Sequence, residues 1–249
     1  ANPLKCSLEP WKLTHIPRQY QIHKCTKSDY FTLLNLFKEF SKYEPVAKDL
    51  NMNWEDDVKP LGEYYLNMAL NSPAHLPCAY IVYCKATGKP IAMKTNHVSY
   101  RDTSKNPKAE VSKPFSPKAQ IIASALDALT DRFWMEYPNE QAVFHGDILF
   151  IDPMHRGRGL VDAFVDYDVD AQFMINNGFN YAQYELTSIP AKTAAKRFNI
   201  KIIGQSPEFL VHDGNKIKLT DGPMALGLHN FHERGTYNAK THWEKMGLL

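Results

Sequence analysis

The stretch Asp147–Leu160, D-I-L-F-I-D-P-M-H-R-G-R-G-L, combines residue types that hold anions. Ile148, Leu149, Phe150 and Ile151 form a continuous apolar run that predicts a strand buried on both faces. Asp152-Pro153 stops that strand, because Pro cannot donate to a sheet ladder. Gly157 and Gly159 follow, flanked by Arg156 and Arg158, and from Leu160 and Val161 onward the period is helical. A glycine-rich strand-to-helix turn presents the first helical N–H groups at the positive end of the dipole, with no Cβ to hold an anion away. Phosphate fits such a turn, and two arginines add charge that persists at neutral pH. The pattern G-x-x-x-x-G-K-[ST] is absent, and the third glycine of G-x-G-x-x-G falls at Asp162. A surface turn that happens to contain R-G-R-G is the alternative reading of the loop alone.

Other groups with chemical potential are dispersed. Glu44 stands at a helix end before Pro45, and Asp147 opens the apolar strand, as a base or as a strand-end residue satisfied by backbone donors. Thr187-Ser188 precedes a short helix, where capping that helix competes with a role in chemistry. His155 and His229-x-x-His232 do not gather with cysteines or carboxylates at ligand spacing, so no metal is expected. Cys6, Cys25, Cys78 and Cys84 form no C-x-x-C pair and read as free thiols of a cytoplasmic protein.

Composition narrows the partners. The chain has 249 residues, 44% of them apolar and 12% aromatic, enough for a sizeable core. Its 29 basic and 27 acidic residues leave a formal net charge of +2, which argues against a dedicated nucleic-acid surface. No apolar run approaches the about 18 residues of a membrane span, and the first residues lack the apolar core of a signal peptide, so no membrane partner is expected.

These groups need a scaffold, and the periodicity supplies one. A strand at residues 18–25 precedes a helix from Thr26-Lys27-Ser28-Asp29 to near Tyr43, and a second helix runs from about Asp57 to Asn71. Strands at 78–84 and from Pro90 toward Tyr100 form a hairpin, and the polar segment from Asp102 to Phe115 is either mobile or a lid. A helix from Ser116-Pro117 leads to the central strand and loop. The helix after the loop turns Leu160, Phe164, Val165, Val169 and Phe173 inward and Asp162, Asp166 and Asp170 toward solvent, ending at Asn177-Gly178. A strand at Tyr181–Leu186, a helix at Ala191–Phe198, a strand at Ile200–Ile203, a hairpin around Asp213-Gly214 and a closing strand at Met224–Leu228 complete the chain. One α/β (α+β) domain over 1–249 is expected, with peripheral tails at 1–17 and 233–249 and a mixed central sheet flanked by helices.

Arg156-Gly157-Arg158-Gly159 after a fourth strand resembles the pyrophosphate loop of the GNAT superfamily of acetyl-CoA-dependent N-acetyltransferases, with Val161 where Gly or Ala is usual. Within it, Tyr43-Glu44-Pro45 followed by Leu50, the run from Tyr137-Pro138 to Ile151-Asp152, and Thr187-Ser188 are most similar to insect-type arylalkylamine N-acetyltransferases. The resemblance implies the GNAT acyl-CoA N-acyltransferase fold with about seven strands, and acetyl-CoA as co-substrate. It implies that Glu44 is the catalytic base, with Thr187 or Ser188 near the thiolate or amine. Backbone of Leu149, Phe150 and Ile151 would meet the thioester and pantetheine, Arg156, Gly157, Arg158, Gly159, Leu160 and Val161 the pyrophosphate, and Tyr43, Trp54 and Tyr64 the acceptor amine. That acceptor is a small primary amine such as dopamine, serotonin, tyramine or tryptamine, attacking directly in a ternary complex of a monomer or weak dimer. Ala191 stands where the family has a further Ser, and Ala194-Ala195-Lys196-Arg197 where many relatives place a Tyr acid. Acetylation of a polyamine or a peptide N-terminus, or CoA binding without catalysis, are the alternatives.

Overall fold

The computed structural model describes residues 17–168 and 171–233. The expected tails lie almost wholly outside the described residues, as do Cys6, Val169, Asp170 and the side chains of Val165 and Asp166. Nine strands are described: β1 (Tyr20–Lys24), β2 (Ala79–Cys84), β3 (Pro90–Tyr100), β4 (Ala142–Ile151), β5 (Tyr181–Leu186), β6 (Lys201–Gln205), β7 (Phe209–His212), β8 (Asn215–Lys218) and β9 (Ala225–Asn230). Seven form one mixed sheet in the order β1-β2-β3-β4-β5-β9-β6, while β7 and β8 pair separately as a hairpin. Every neighbouring pair in the large sheet is antiparallel except β4 with β5, which is parallel. The last strand therefore does not close an edge: β9 inserts between β5 and β6.

Helices cover both faces. On one side lie α1 (Tyr30–Ser41), the short α2 (Pro45–Asp49), α3 (Lys59–Asn71) and α4 (Pro117–Glu136). Leu33, Leu34 and Phe37 of α1 and Leu66 of α3 share a core with Ile81, Met93, Ile148 and Phe150. Phe133 of α4 joins Val143, Leu226, Leu228 and, from the hairpin, Leu210. On the other side lie α5 (Leu160–Asp168), α6 (Ala171–Asn176) and α7 (Ile189–Arg197). Leu160 and Phe164 meet Tyr80, Val82, Ala92 and Ile151 there, and Met174 meets Phe144 and Ala182. The sheet is thus buried between two layers, which is why its central strands read as nearly continuous apolar runs.

Helix starts follow their capping chemistry. Ser116 accepts from the Ala119 amide at 3.1 Å, ahead of Pro117. Between α2 and α3 the chain winds through a π-helical turn, Trp54–Val58, capped by Asn53. This turn and α2 fill the stretch between α1 and α3.

Several expectations are corrected. The central strand begins at Ala142, well before Ile148. Asp162 does not join a solvated row: it is 3% exposed, and its carboxylate pairs with Arg197 on α7 at 3.1 Å, fastening α5 to α7. The segment Asp102–Phe115 is a strap across α3: Asn67 and Asn71 donate to the Glu110 and Lys108 carbonyls at 2.8 and 2.7 Å, and buried Glu63 accepts from Ser112. Among the described residues, no helix is long and apolar enough to cross a membrane, and Cys25 and Cys84 are free thiols.

Candidate active site

Two departures from regular strand pairing build the site. The parallel pair β4 and β5 is in register only from Phe144↔Ala182 to Gly146↔Tyr184, although β4 continues to Ile151 and β5 to Leu186. Beyond Gly146 the strands part, and the sheet opens into a wedge lined by Gly146, Ile148, Leu149, Val161, Tyr184 and Leu186. Along that stretch β4 has a partner on β3 but none on β5, so one edge of Ile148–Ile151 faces the opening.

The second departure is a β-bulge. Thr95 of β3 faces Ile148 whereas Asn96 faces Gly146, which leaves Asp147 as the extra residue. A bulge re-aims side chains that strict alternation would send to opposite faces. Asp147 and Ile148 consequently both line a second cavity, beneath α1, α3 and α4, whose wall is mostly apolar: Phe37, Phe40, Met52, Leu61, Tyr65 and Leu126 among others. Glu44, Asp147, Ile148, Glu185 and Thr187 belong to both linings, so wedge and cavity meet there.

Glu44 sits at the corner between α1 and α2, where Pro45 opens the new helix and the Glu44 side chain caps it. Its Oε1 accepts from the Val46 amide at 3.3 Å and its Oε2 from the Thr187 hydroxyl at 3.1 Å. The residue keeps partial exposure because it faces the cavity, yet its carboxyl is enclosed by protein. Burial pushes its pKa up to about 7, against the opposing pull of the two hydrogen bonds and with added repulsion from Asp221 and Asp49. A carboxyl that changes charge near neutrality suits a general base.

Asp147 and Glu185 are carboxylates of another kind, each backed by an imidazole. His97 Nδ1 lies 2.8 and 2.9 Å from the two Asp147 oxygens, and its Nε2 lies 3.0 Å from the Ser99 hydroxyl. His145 Nε2 stands 3.4 Å from Glu185 and outside hydrogen-bond geometry. Burial lowers the His145 pKa, but the charges of Glu185 and Asp147 outweigh it and the net shift is upward. Among the described residues, His97, His145 and Asp147 are the trio that could offer a metal three ligand atoms, all within 4.8 Å of one another. The bidentate contact of Asp147 to His97 already engages two of those groups.

At the mouth of the wedge, the turn Pro153–His155 leads into the loop. Gly157 and Gly159 have φ of +71° and +77°, left-handed values that favour glycine. Arg156 Nε donates to the Ile151 carbonyl at 3.1 Å, and its guanidinium stands 5.0 Å over the Tyr43 ring. Arg158 is exposed, and Val161 turns from the loop into the wedge wall, packing with the cluster of Leu160 and Phe164. The loop therefore stays open at the start of the nine-residue α5. Glycines at left-handed φ, helical N–H groups and arginines together fit a pyrophosphate, and the open edge of β4 fits an extended amide-bearing arm.

The structure brings Glu44 and Thr187 together but gives Ser188 to the α7 cap, where it accepts from the Ala191 amide at 3.2 Å. Leu149 lines the wedge, while Phe150 and Ile151 bury their side chains in opposite cores. The aromatics named for the amine do not share one cavity wall. Tyr43 stacks on Phe150 at 6.3 Å beside Arg156, Trp54 borders an outer groove with Lys38 and Lys48, and Tyr64 packs on Tyr65 and Phe115. None of the three lines the central cavity; Tyr65, Phe37 and Phe40 do. Sequence reasoning missed Glu185, His97 and His145. Glu185 was within reach, since it lies on β5 two residues before Thr187, which follows the strand's end; the histidines depend on the β3–β4 register and gave no such signal.

No protein-family model matches the chain, and no curated protein matches it in sequence. Solved structures do match. Arylalkylamine N-acetyltransferase 2 from Aedes aegypti aligns with a TM-score of 0.67 at 13% identity, over 85% of this chain and 99% of that one. The polyamine N-acetyltransferase of Drosophila melanogaster, which catalyses formation of N-acetylagmatine, aligns at 0.63 and 13%, over 85% and 99%. The C-terminal condensation domain of Ebony, in complex with β-alanyl-dopamine, gives 0.63 at 12%, over 85% and 98%. At such identities the likeness is one of fold.

Proposed function

We propose, for a chain whose fold is that of the GNAT N-acetyltransferases, that it transfers acetyl from acetyl-CoA to a small primary amine. The observation that carries this reading is the meeting of wedge and cavity at Glu44, a buried carboxyl with a pKa near 7. In this reading the loop Arg156–Gly159 and the first turn of α5 hold the pyrophosphate, and the open edge of β4 receives the pantetheine arm. Glu44 takes a proton from the substrate ammonium, directly or through water. The freed nitrogen bonds the acetyl carbon as the carbon–sulfur bond breaks, and the sulfur leaves as thiol. Overall, ammonium and thioester give amide, thiol and one proton, which Glu44 passes to solvent. Backbone N–H groups on the open edge of β4 are suited to the negative charge that develops on the carbonyl oxygen.

The cavity wall of Phe37, Phe40, Leu61, Met52 and Tyr65 supports an arylalkylamine such as tryptamine, tyramine, serotonin or dopamine as acceptor. A thiol-release assay with acetyl-CoA against tryptamine, dopamine, spermidine and a short peptide tests the reading. Release with an arylalkylamine is the expected result; tight CoA binding with no release from any acceptor would refute it in favour of a non-catalytic CoA-binding protein.

A further inference from the structure

The central cavity has a second neighbour besides the wedge. The outer groove bordered by Trp54 shares Ser41, Ala47, Met52 and Val58 with it, so the two adjoin at the corner of α1 and α2. The groove is the roomier, about 390 Å³ against about 100 Å³. Its charge is one-sided: Lys38, Lys42 and Lys48 line it, and no carboxylate does. The acids nearby in the chain are engaged elsewhere. Glu39 holds Lys42 at 2.7 Å, Glu55 lies 3.5 Å from Lys59, and Asp56 meets Lys113 at 2.7 Å. Asp49 accepts from Thr220, and Asp57 from the Asn53 amide. Lys38 and Lys48 have no ion-pair partner among the described residues; their ammonium groups stand 5.4 Å over the Trp54 ring and 5.9 Å over the Tyr43 ring. From α4, Lys118 donates to the carbonyl of Asn51 on the groove's border at 2.7 Å, which brings a fourth cation near.

A lone surface lysine is well satisfied by water, and a single exposed ion pair adds little. Like charges gathered around a hollow with protein walls differ, because the walls focus their field and an anion placed among them relieves their mutual repulsion. With the wedge given to the arm of the co-substrate, the groove is where an acceptor too long for the cavity would extend. We propose that this groove is a subsite for an anionic group at the far end of the acceptor, which makes the preferred acceptor an arylalkylamine carrying a sulfate, phosphate or carboxylate on its ring side. Trp54 supplies a flat apolar face beside the lysines for the adjoining part of the acceptor. The proposal rests on the acetyl-transfer reading for the amine end and specifies the other end, which that reading leaves open.

The test is calorimetric titration of the full chain loaded with CoA, a complex that cannot turn over and whose own phosphates compete for the arginine loop. The probes are tyramine and tyramine O-sulfate, which share amine and ring and differ in the charge at the far end. The expected result is that the sulfate binds about tenfold or more tightly than tyramine at about 50 mM salt, and that this advantage shrinks to about threefold or less at about 500 mM. Lys38→Gln combined with Lys48→Gln should remove the advantage while leaving tyramine and CoA affinity within about twofold. Lys201→Gln, on the edge strand β6, should leave the advantage within about twofold. CoA affinity reports whether each variant is folded, and the comparison of the two probes on the unmodified protein needs no variant. Equal affinity for the two, tighter binding of tyramine, no binding of the sulfate, or an advantage that survives the double substitution would overturn the subsite. Thiol release from acetyl-CoA separates the two claims: tighter binding of the sulfate with no release from either probe defeats the acetyl-transfer reading and leaves the subsite standing, whereas release from tyramine with no advantage for the sulfate does the reverse.

Discussion

At the scale of single residues, Glu44 is held in a state that costs the fold something. Its pKa of about 7 lies above the ordinary carboxylate value of 4.5, so the folded protein retains a proton that the unfolded chain releases. Stability contributed this way is present at pH below the ordinary value, falls as pH rises from about 4.5 to 7, and is absent above. Glu44→Gln keeps the shape without the charge. We expect it to be more stable than the unmodified protein at pH 8, by up to about 3 kcal/mol, and equal to it near pH 4, as measured by urea unfolding at both values. The same variant should lose about a hundredfold or more in kcat/KM, together with the rise in activity through pH 7. Thr187 should tune that rise: its hydroxyl favours the charged form, so Thr187→Val should move the acid limb of the kcat/KM profile to higher pH and leave activity near pH 9 largely intact. Glu44 and Thr187 were both singled out in the sequence, the one by its place before Pro45 and by resemblance, the other by the resemblance of Thr187-Ser188 to a family pair after a strand. Their hydrogen bond spans 143 positions, and nothing local announces it.

At the scale of elements, what was legible is what repeats. Apolar period located α1, α3, α4 and α7 to within a few residues, and the alternation of β2 and β3 marked their hairpin. The five-residue α2 is too short to show a period and exists because Glu44 caps it and Val46 and Leu50 are buried beneath it. The bulge at Asp147 was hidden for a different reason, since register is a relation between two strands. Asp162 was misread because a row of acids on one helix looks solvated until a partner arrives from another. That partner gives a prediction: Arg197→Ala should destabilise the protein by about 1–3 kcal/mol, measured by thermal or urea unfolding, because it strips an ion partner from a buried carboxylate. Gly146, at the apex of the wedge, gives another. A Cβ there would meet the Tyr184 ring at 2.4 Å, so Gly146→Ala should push Tyr184 into the opening and raise the KM for acetyl-CoA more than that for the amine, a split that initial-rate kinetics reads directly.

At the scale of the whole molecule, a mixed sheet covered by helices was legible from the order of elements, and the insertion of β9 between β5 and β6 was not, because the last strand of a chain carries no mark of where it docks. The insertion matters to the site. By pairing β5 along its whole length from Tyr181 to Leu186 on the far side, β9 fixes that strand's direction independently of β4. The two strands can then part without either losing its support, since β4 is held just as fully by β3. A divergence of this kind leaves the sheet one strand short over part of its width, at its centre and not at a rim. An exposed rim invites a second copy to add on and grow without end, whereas a gap at the centre has room for one slender strand-like segment only. If the co-substrate's arm pairs with that edge as proposed, it completes the protein's own hydrogen-bond ladder, and the molecule's resistance to unfolding should rise with the logarithm of that guest's concentration.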